Sequence, residues 1–190
     1  MLRQLKTALI LLGIFTVITG IIYPLFITGI AQVFFHRQAN GSLIEENGEA
    51  AGSELIGQSF SGPEYFWGRP SATASFPYNA AASSGSNLGP SNPALREAVQ
   101  ARIDALKAVE PDNNEPIPAD LVTFSASGLD PDISVAAADY QVARVARYRG
   151  LSERQVSDLV DRFTEGRQLG VLGEPRVKVL QLNLALDSLK

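Results

Sequence analysis

The chain has 190 residues, with 16 Lys and Arg against 20 Asp and Glu, one His and no Cys, for a formal net charge of −4. The absence of cysteine excludes disulfides, thiol chemistry and thiolate-held metal, and a single histidine disfavours a transition-metal site. All 20 acidic residues but only 14 of the 16 basic ones lie beyond residue 35, so that part carries a formal charge of −6, a poor surface for nucleic acid, which is held by Lys and Arg at its phosphates.

Residues 7–35 contain no charged side chain. A helix rises about 1.5 Å per residue and the hydrocarbon core is about 30 Å thick, so roughly 20 residues cross it and this run reads as one transmembrane helix. Signal-peptide apolar regions run about 7–15 residues, about half this length, so the run reads as an uncleaved anchor. Pro24 predicts a kink near Tyr23, tolerated in a membrane where local adjustment satisfies the freed carbonyl. Gly13 and Gly20, seven apart, place small residues on one face and, with Pro24, form a candidate packing surface for another transmembrane helix. Arg3 and Lys6 precede the run, whereas Arg37 and His36 follow it before Glu45, Glu46 and Glu49. The positive-inside rule then predicts a cytoplasmic N-terminus and an extracytoplasmic domain.

The boundaries read as an anchor over 1–36, an exposed polar tether over 37–53 and one soluble domain over 54–190. Residues 54–93 lack helical periodicity but concentrate Phe60, Tyr65, Phe66, Trp67, Phe76 and Tyr78, so they predict an ordered loop region, with a short strand over 55–60, rather than disorder. Ser91 or Asn92 before Pro93 is a helix start, and Leu95, Val99, Ile103 and Leu106 share one face of a helix that should stop before Pro111. A short β-like run over 121–125 and turn chemistry over 127–132 come next. A second helix is predicted over 134–149, closed by Gly150, and a third over 152–165, where Ser152-x-x-Gln155 is a capping box and Gly166 a terminator. Residues 176–183 read as a strand and 185–190 as a final helical turn. The fold class is a single N-terminal transmembrane helix plus one mixed α/β, helix-rich extracytoplasmic domain.

Chemistry is harder to find. His36 sits at the membrane boundary, and Lys107, Lys178 and Lys190 are nominated for a Ser-Lys dyad by no surrounding feature. Walker A, Rossmann and G-x-S-x-G patterns are lacking; Gly85-Ser86-Asn87-Leu88-Gly89 has the wrong spacing for the last. Asp130 and Asp132 flank Pro131 ahead of a helix, where N-capping explains Asp132. What stands out is a pair of loops, Tyr65-Phe66-Trp67-Gly68-Arg69-Pro70-Ser71-Ala72 and Ser84-Gly85-Ser86-Asn87-Leu88-Gly89-Pro90-Ser91-Asn92-Pro93. Aromatics beside Arg and Pro suit a rigid binding surface, with Tyr65, Trp67, Arg69, Pro70, Ser71, Asn79, Ser86, Asn87, Gly89 and Pro90 as candidate partner contacts. The alternative is that the aromatics anchor the loops to the domain's own core.

These segments, with Tyr23-Pro24, Leu55-Ile56-Gly57-Gln58, Tyr78-Asn79, Ser127-Gly128-Leu129-Asp130-Pro131 and the run from Val179 through Asp187, resemble the KdpC family, the C subunits of bacterial Kdp potassium-transporting P-type ATPases. The resemblance implies an inner-membrane complex in which one partner subunit selects potassium and another hydrolyses ATP. It implies no catalytic residues here, no tightly bound cofactor and no metal. The family is described as assisting ATP binding by the hydrolytic subunit, and Leu151-Ser152-x-x-Gln155 matches the motif likened to an ABC-type signature. By resemblance, Ser152 and Gln155 are thus candidate nucleotide contacts, with ATP bound only within the complex. Two physical arguments oppose that contact: residue 155 is expected outside the cytoplasm, and a capping box accounts for both side chains.

Overall fold

The computed structural model describes residues 1–46 and 48–189. The chain divides into two compact units, Met1–Leu43 and Ile44–Lys190. In the first, α1 (Leu2–Val17), a π turn (Ile18–Ile22) and α2 (Tyr23–Phe34) make one helical run of 33 residues, long and apolar enough to cross a membrane and unburied throughout its apolar window. Pro24 has no N–H to give. The ladder is rerouted just before it, where the Tyr23 N–H donates to the Ile18 carbonyl five residues back. This is the local adjustment that an apolar environment requires. The Thr7 and Thr19 hydroxyls donate to Arg3 and Phe15 carbonyls of the same helix, at 3.0 and 2.7 Å. A short helix, α3 (His36–Ala39), follows.

The second unit begins with β1 (Leu43–Glu46) and β2 (Glu49–Ser53), a two-stranded sheet within the stretch read as an exposed polar tether. Then come a long irregular segment, α4 (Pro93–Val109), β3 (Asp132–Ser134), α5 (Val135–Arg149), α6 (Glu153–Arg162), β4 (Thr164–Glu165), β5 (Arg176–Lys178) and α7 (Val179–Asp187). The larger sheet is antiparallel in the order β3-β5-β4, with Ile133 opposite Val177 and Glu165 opposite Arg176. Strands β3 and β5 each run directly into a helix, and because they are antiparallel α5 and α7 leave the ladder at opposite ends. Ser134 ends β3 and caps α5 by accepting the Ala137 N–H at 3.0 Å. Ile133, Val177, Val145, Val156, Val160, Leu182 and Leu186 form the core between sheet and helices, joined by Leu106 of α4.

Helices α4 and α5 match expectation: Asn92 accepts the Ala94 N–H ahead of Pro93, α4 ends before Pro111, and Gly150 closes α5 in the left-handed region at φ 67°. Five expectations fail. Residues 55–60 form no strand; Gly57 instead donates its N–H to the Leu129 carbonyl across the irregular region. Residues 121–125 follow a 3₁₀ turn (Ala119–Leu121) and bury Leu121 and Val122 without joining a ladder. Helix α6 stops at Arg162, because Thr164 and Glu165 pair with β5. Only Arg176–Lys178 of the predicted final strand is a strand, since Val179 onward is helical with Val179, Leu182, Asn183 and Leu186 buried at spacings of three, one and three. Ala185, Leu186 and Asp187 of the predicted last turn lie within α7, and Lys190 is outside the described residues. Asp132 does not cap α5; its carboxylate lies 2.9 Å from Arg176 Nε.

Candidate partner-contact surface

The segment carrying the aromatic triplet has no neighbouring strand, yet Phe66 is fully buried and Trp67 is 5% exposed. Buried backbone amides and carbonyls need partners. Two carboxamides supply them. Asn183 of α7 accepts the Phe66 N–H at 2.9 Å and donates to the Phe66 carbonyl at 3.0 Å. Gln141 of α5 accepts the Trp67 N–H at 2.8 Å and donates to the Trp67 carbonyl at 3.2 Å.

The indole is enclosed by two guanidinium groups, Arg102 at 4.8 Å and Arg144 at 5.1 Å from the ring centroid, and its Nε1–H donates to the Gly62 carbonyl at 2.8 Å. Both arginines hold the same loop from the other end. Arg144, 1% exposed, donates to the Pro63 carbonyl, to Tyr65 O at 2.9 Å and to Gln141 Oε1 at 2.6 Å. Arg102 donates to Gly68 O at 2.9 Å and Leu121 O at 3.0 Å. Burial pushes the Arg144 guanidinium down to about 10 and lowers Arg102 as well. Backbone carbonyls compensate part of that desolvation.

Beyond Trp67 the loop is knitted to the turns at 78–85 and 124–130. Arg69 pairs with Asp130 at 3.0 Å and donates to Phe124 O at 3.1 Å. Ser71 Oγ donates to Gly128 O at 2.6 Å and accepts the Tyr78 N–H at 2.8 Å. The Tyr78 hydroxyl donates to Arg69 O at 2.6 Å, and burial raises its pKa. Gly128 is required here: its φ is 67°, and a Cβ on it would lie 2.7 Å from Ser84 O.

The expected contact residues therefore separate. Trp67 is buried in the domain core, the place that the alternative reading of the aromatics gives it. Tyr65 is half-buried, its hydroxyl 3.2 Å from Asp187 Oδ2 and its ring 4.9 Å from Arg149. Arg69, through its two terminal nitrogens, and Ser71 make their hydrogen bonds inside the loop cluster, and Asn79 caps a 3₁₀ turn (Ala80–Ala82) by accepting the Ala81 N–H at 3.0 Å. Pro70 and Ser86 are half-buried; Asn87, Gly89 and Pro90 are exposed, as are residues 74–77 with Phe76 at the surface. Ser152 and Gln155 form the capping box of α6: Gln155 Oε1 accepts from Ser152 N at 3.0 Å and Oγ at 2.8 Å, and Ser152 Oγ accepts the Gln155 N–H at 3.3 Å. Gly13 and Gly20 leave open space where a Cβ would stand. Among the described residues no group of three His, Cys, Asp or Glu side chains could hold a metal ion.

Sequence reading missed the residues that organise the loop, Gln141, Asn183, Arg144 and Arg102. The one legible signal was an amide set among leucines, Leu182-Asn183-Leu184, where a fully apolar residue would otherwise be expected.

The family model described as K+-transporting ATPase, c chain, matches residues 5–188 of the chain. The chain belongs to the KdpC family. Among KdpC relatives, the potassium-transporting ATPase KdpC subunit of Herpetosiphon aurantiacus is 68% identical over 97% of the chain and 96% of that protein. Those of Methylococcus capsulatus and Dechloromonas aromatica are each 62% identical, covering all of both chains in the first case and 97% and 96% in the second. The resemblance seen in the sequence is thus correct along the whole KdpC chain, anchor and domain alike. In this KdpC domain the aromatic loop is a scaffold whose inner side is core and whose outer edge, at residues 74–77 and 87–92, meets solvent.

Proposed function

We propose that the chain is a non-catalytic subunit of an ATP-driven potassium uptake complex in the bacterial inner membrane, where it stabilises the assembly and assists ATP binding and hydrolysis by the ATPase subunit. The observation that carries this reading is the family match over residues 5–188, which takes in both the apolar helix and the domain. The N-terminus is cytoplasmic and the domain extracytoplasmic, in keeping with Arg3 and Lys6 ahead of the span. Partners are the potassium-selecting subunit, the ATP-hydrolysing subunit and membrane lipid. Gly13 and Gly20 offer the span close approach to another helix, and the π turn ahead of Pro24 gives that helix a defined irregularity.

The chain holds no cofactor tightly, and ATP is bound only in the complex, by the hydrolytic subunit. Ser152 and Gln155 already satisfy each other and the first turn of α6, which favours an indirect effect on nucleotide over a direct contact. The docking edge is formed by the exposed residues of 74–77 and 87–92, with Thr73 and Asn79 hydrogen-bonded to the carbonyls of Phe76 and Ala74 in the first of these stretches. A tagged full-length chain extracted in mild detergent should carry two larger membrane polypeptides with it. Recovery as a lone chain from cells that express those partners contradicts the subunit reading.

A further inference from the structure

The connection between β4 and β5 does not taper into a polar turn. Gln168 and Leu172 exchange two backbone hydrogen bonds of 2.9 Å, Val171 N–H donates to Gln168 O at 3.2 Å, and Arg167 closes the base on Glu174 at 2.7 Å. On this ordered hairpin, Leu169 is 91% exposed, with Val171 and Leu172 also turned to solvent. Leu169 and Gly170 both have positive φ, 53° and 76°. A hairpin tip of that geometry favours Asn-Gly, and a leucine there is disfavoured both by its backbone and by water on its side chain. Folding gains nothing from this choice.

We infer that the tip is a docking knob, Leu169, Val171 and Leu172 entering an apolar socket on a protein partner within the potassium-ATPase complex; this rests on the subunit reading above. Protein is favoured over lipid by charge and composition. Residues 166–175 contain no Lys, Trp or Tyr, their one Arg is paired with Glu174, and the chain beyond residue 35 carries a formal charge of −6, which repels anionic headgroups. Three apolar side chains on a pre-ordered turn are the size of an interface hot spot, and little conformational freedom is left to lose on docking.

The test uses the full chain in cells expressing the whole complex. A photoreactive benzoylphenylalanine at position 169 should form an adduct with a larger partner polypeptide; adducts with lipid alone, or none, overturn the knob, provided the tagged unsubstituted chain still brings down its partners in the same preparation. If the unsubstituted chain brings none down, the subunit reading itself falls. Leu169→Asn separates folding from docking because Asn accepts positive φ: the variant should melt no lower than the parent while partner recovery drops about tenfold. Undiminished recovery of Leu169→Asn together with Val171→Ser overturns the inference.

Discussion

Asn183 grips Phe66 at both ends of a single residue, accepting its N–H at 2.9 Å and donating to its carbonyl at 3.0 Å, although 117 positions separate the two in the chain. Gln141 does the same for Trp67. Two side-chain amides thus do for this buried segment what a neighbouring strand would do, and they fasten the loop to the middles of α5 and α7.

Replacing Asn183 by Leu leaves a buried N–H and a buried carbonyl of Phe66 without partners. Such groups cost about 1–3 kcal/mol each when unmade. We expect the domain of the full-length chain to lose about 2–4 kcal/mol, seen as a lower midpoint in thermal or denaturant unfolding in detergent. An unchanged midpoint would show that the amide clamp is dispensable.

Trp67→Ala removes a buried ring in contact with two guanidinium groups and should cost about 3–5 kcal/mol, the usual range for an aromatic truncated in a core. The loss is expected in the chain without its partners, by the same unfolding measurement. Reduced assembly with undiminished stability would return Trp67 to the binding surface.

Legibility followed period and local chemistry. The apolar run, the start of α4 at Asn92-Pro93 and the capping box at Ser152 could be read because each is set by residues within one or two turns of each other. The run at 176–183 misled because Val177, Val179, Leu180 and Leu182 fit a buried strand or a buried helix equally well. In the helix, Asn183 reaches the Phe66 backbone. The internal role of Trp67 was likewise out of reach, since its partners Arg102, Gln141 and Arg144 lie on two distant helices.

Ser152→Ala should weaken the α6 cap by about 1 kcal/mol. The ATP concentration giving half-maximal activity of the assembled complex should not move, because the serine hydroxyl is engaged by Gln155 and not by nucleotide. A severalfold rise would support direct contact.

Acid should loosen the sheet edge in a defined way. Glu165 is held below the ordinary carboxylate range, chiefly by its hydrogen bond to Lys178 at 2.6 Å, with Arg176 adding to it. Its stabilisation is present above the unfolded-state value and is lost as pH falls through the lowered folded-state one. Burial raises Asp132 beside it, an opposite contribution that eases as the group is protonated. Melting curves of Glu165→Gln and the parent should differ at pH 7 and converge as the pH falls below the lowered folded-state value. A constant gap would exclude the ion pairs as its source.

The most direct measurement of the account is potassium-stimulated ATPase activity of the complex purified from cells with and without this chain. The account predicts that stimulation is lost when the chain is omitted and restored when the full-length chain is co-expressed, with Ser152→Ala restoring it equally. Full stimulation in the chain's absence would contradict it.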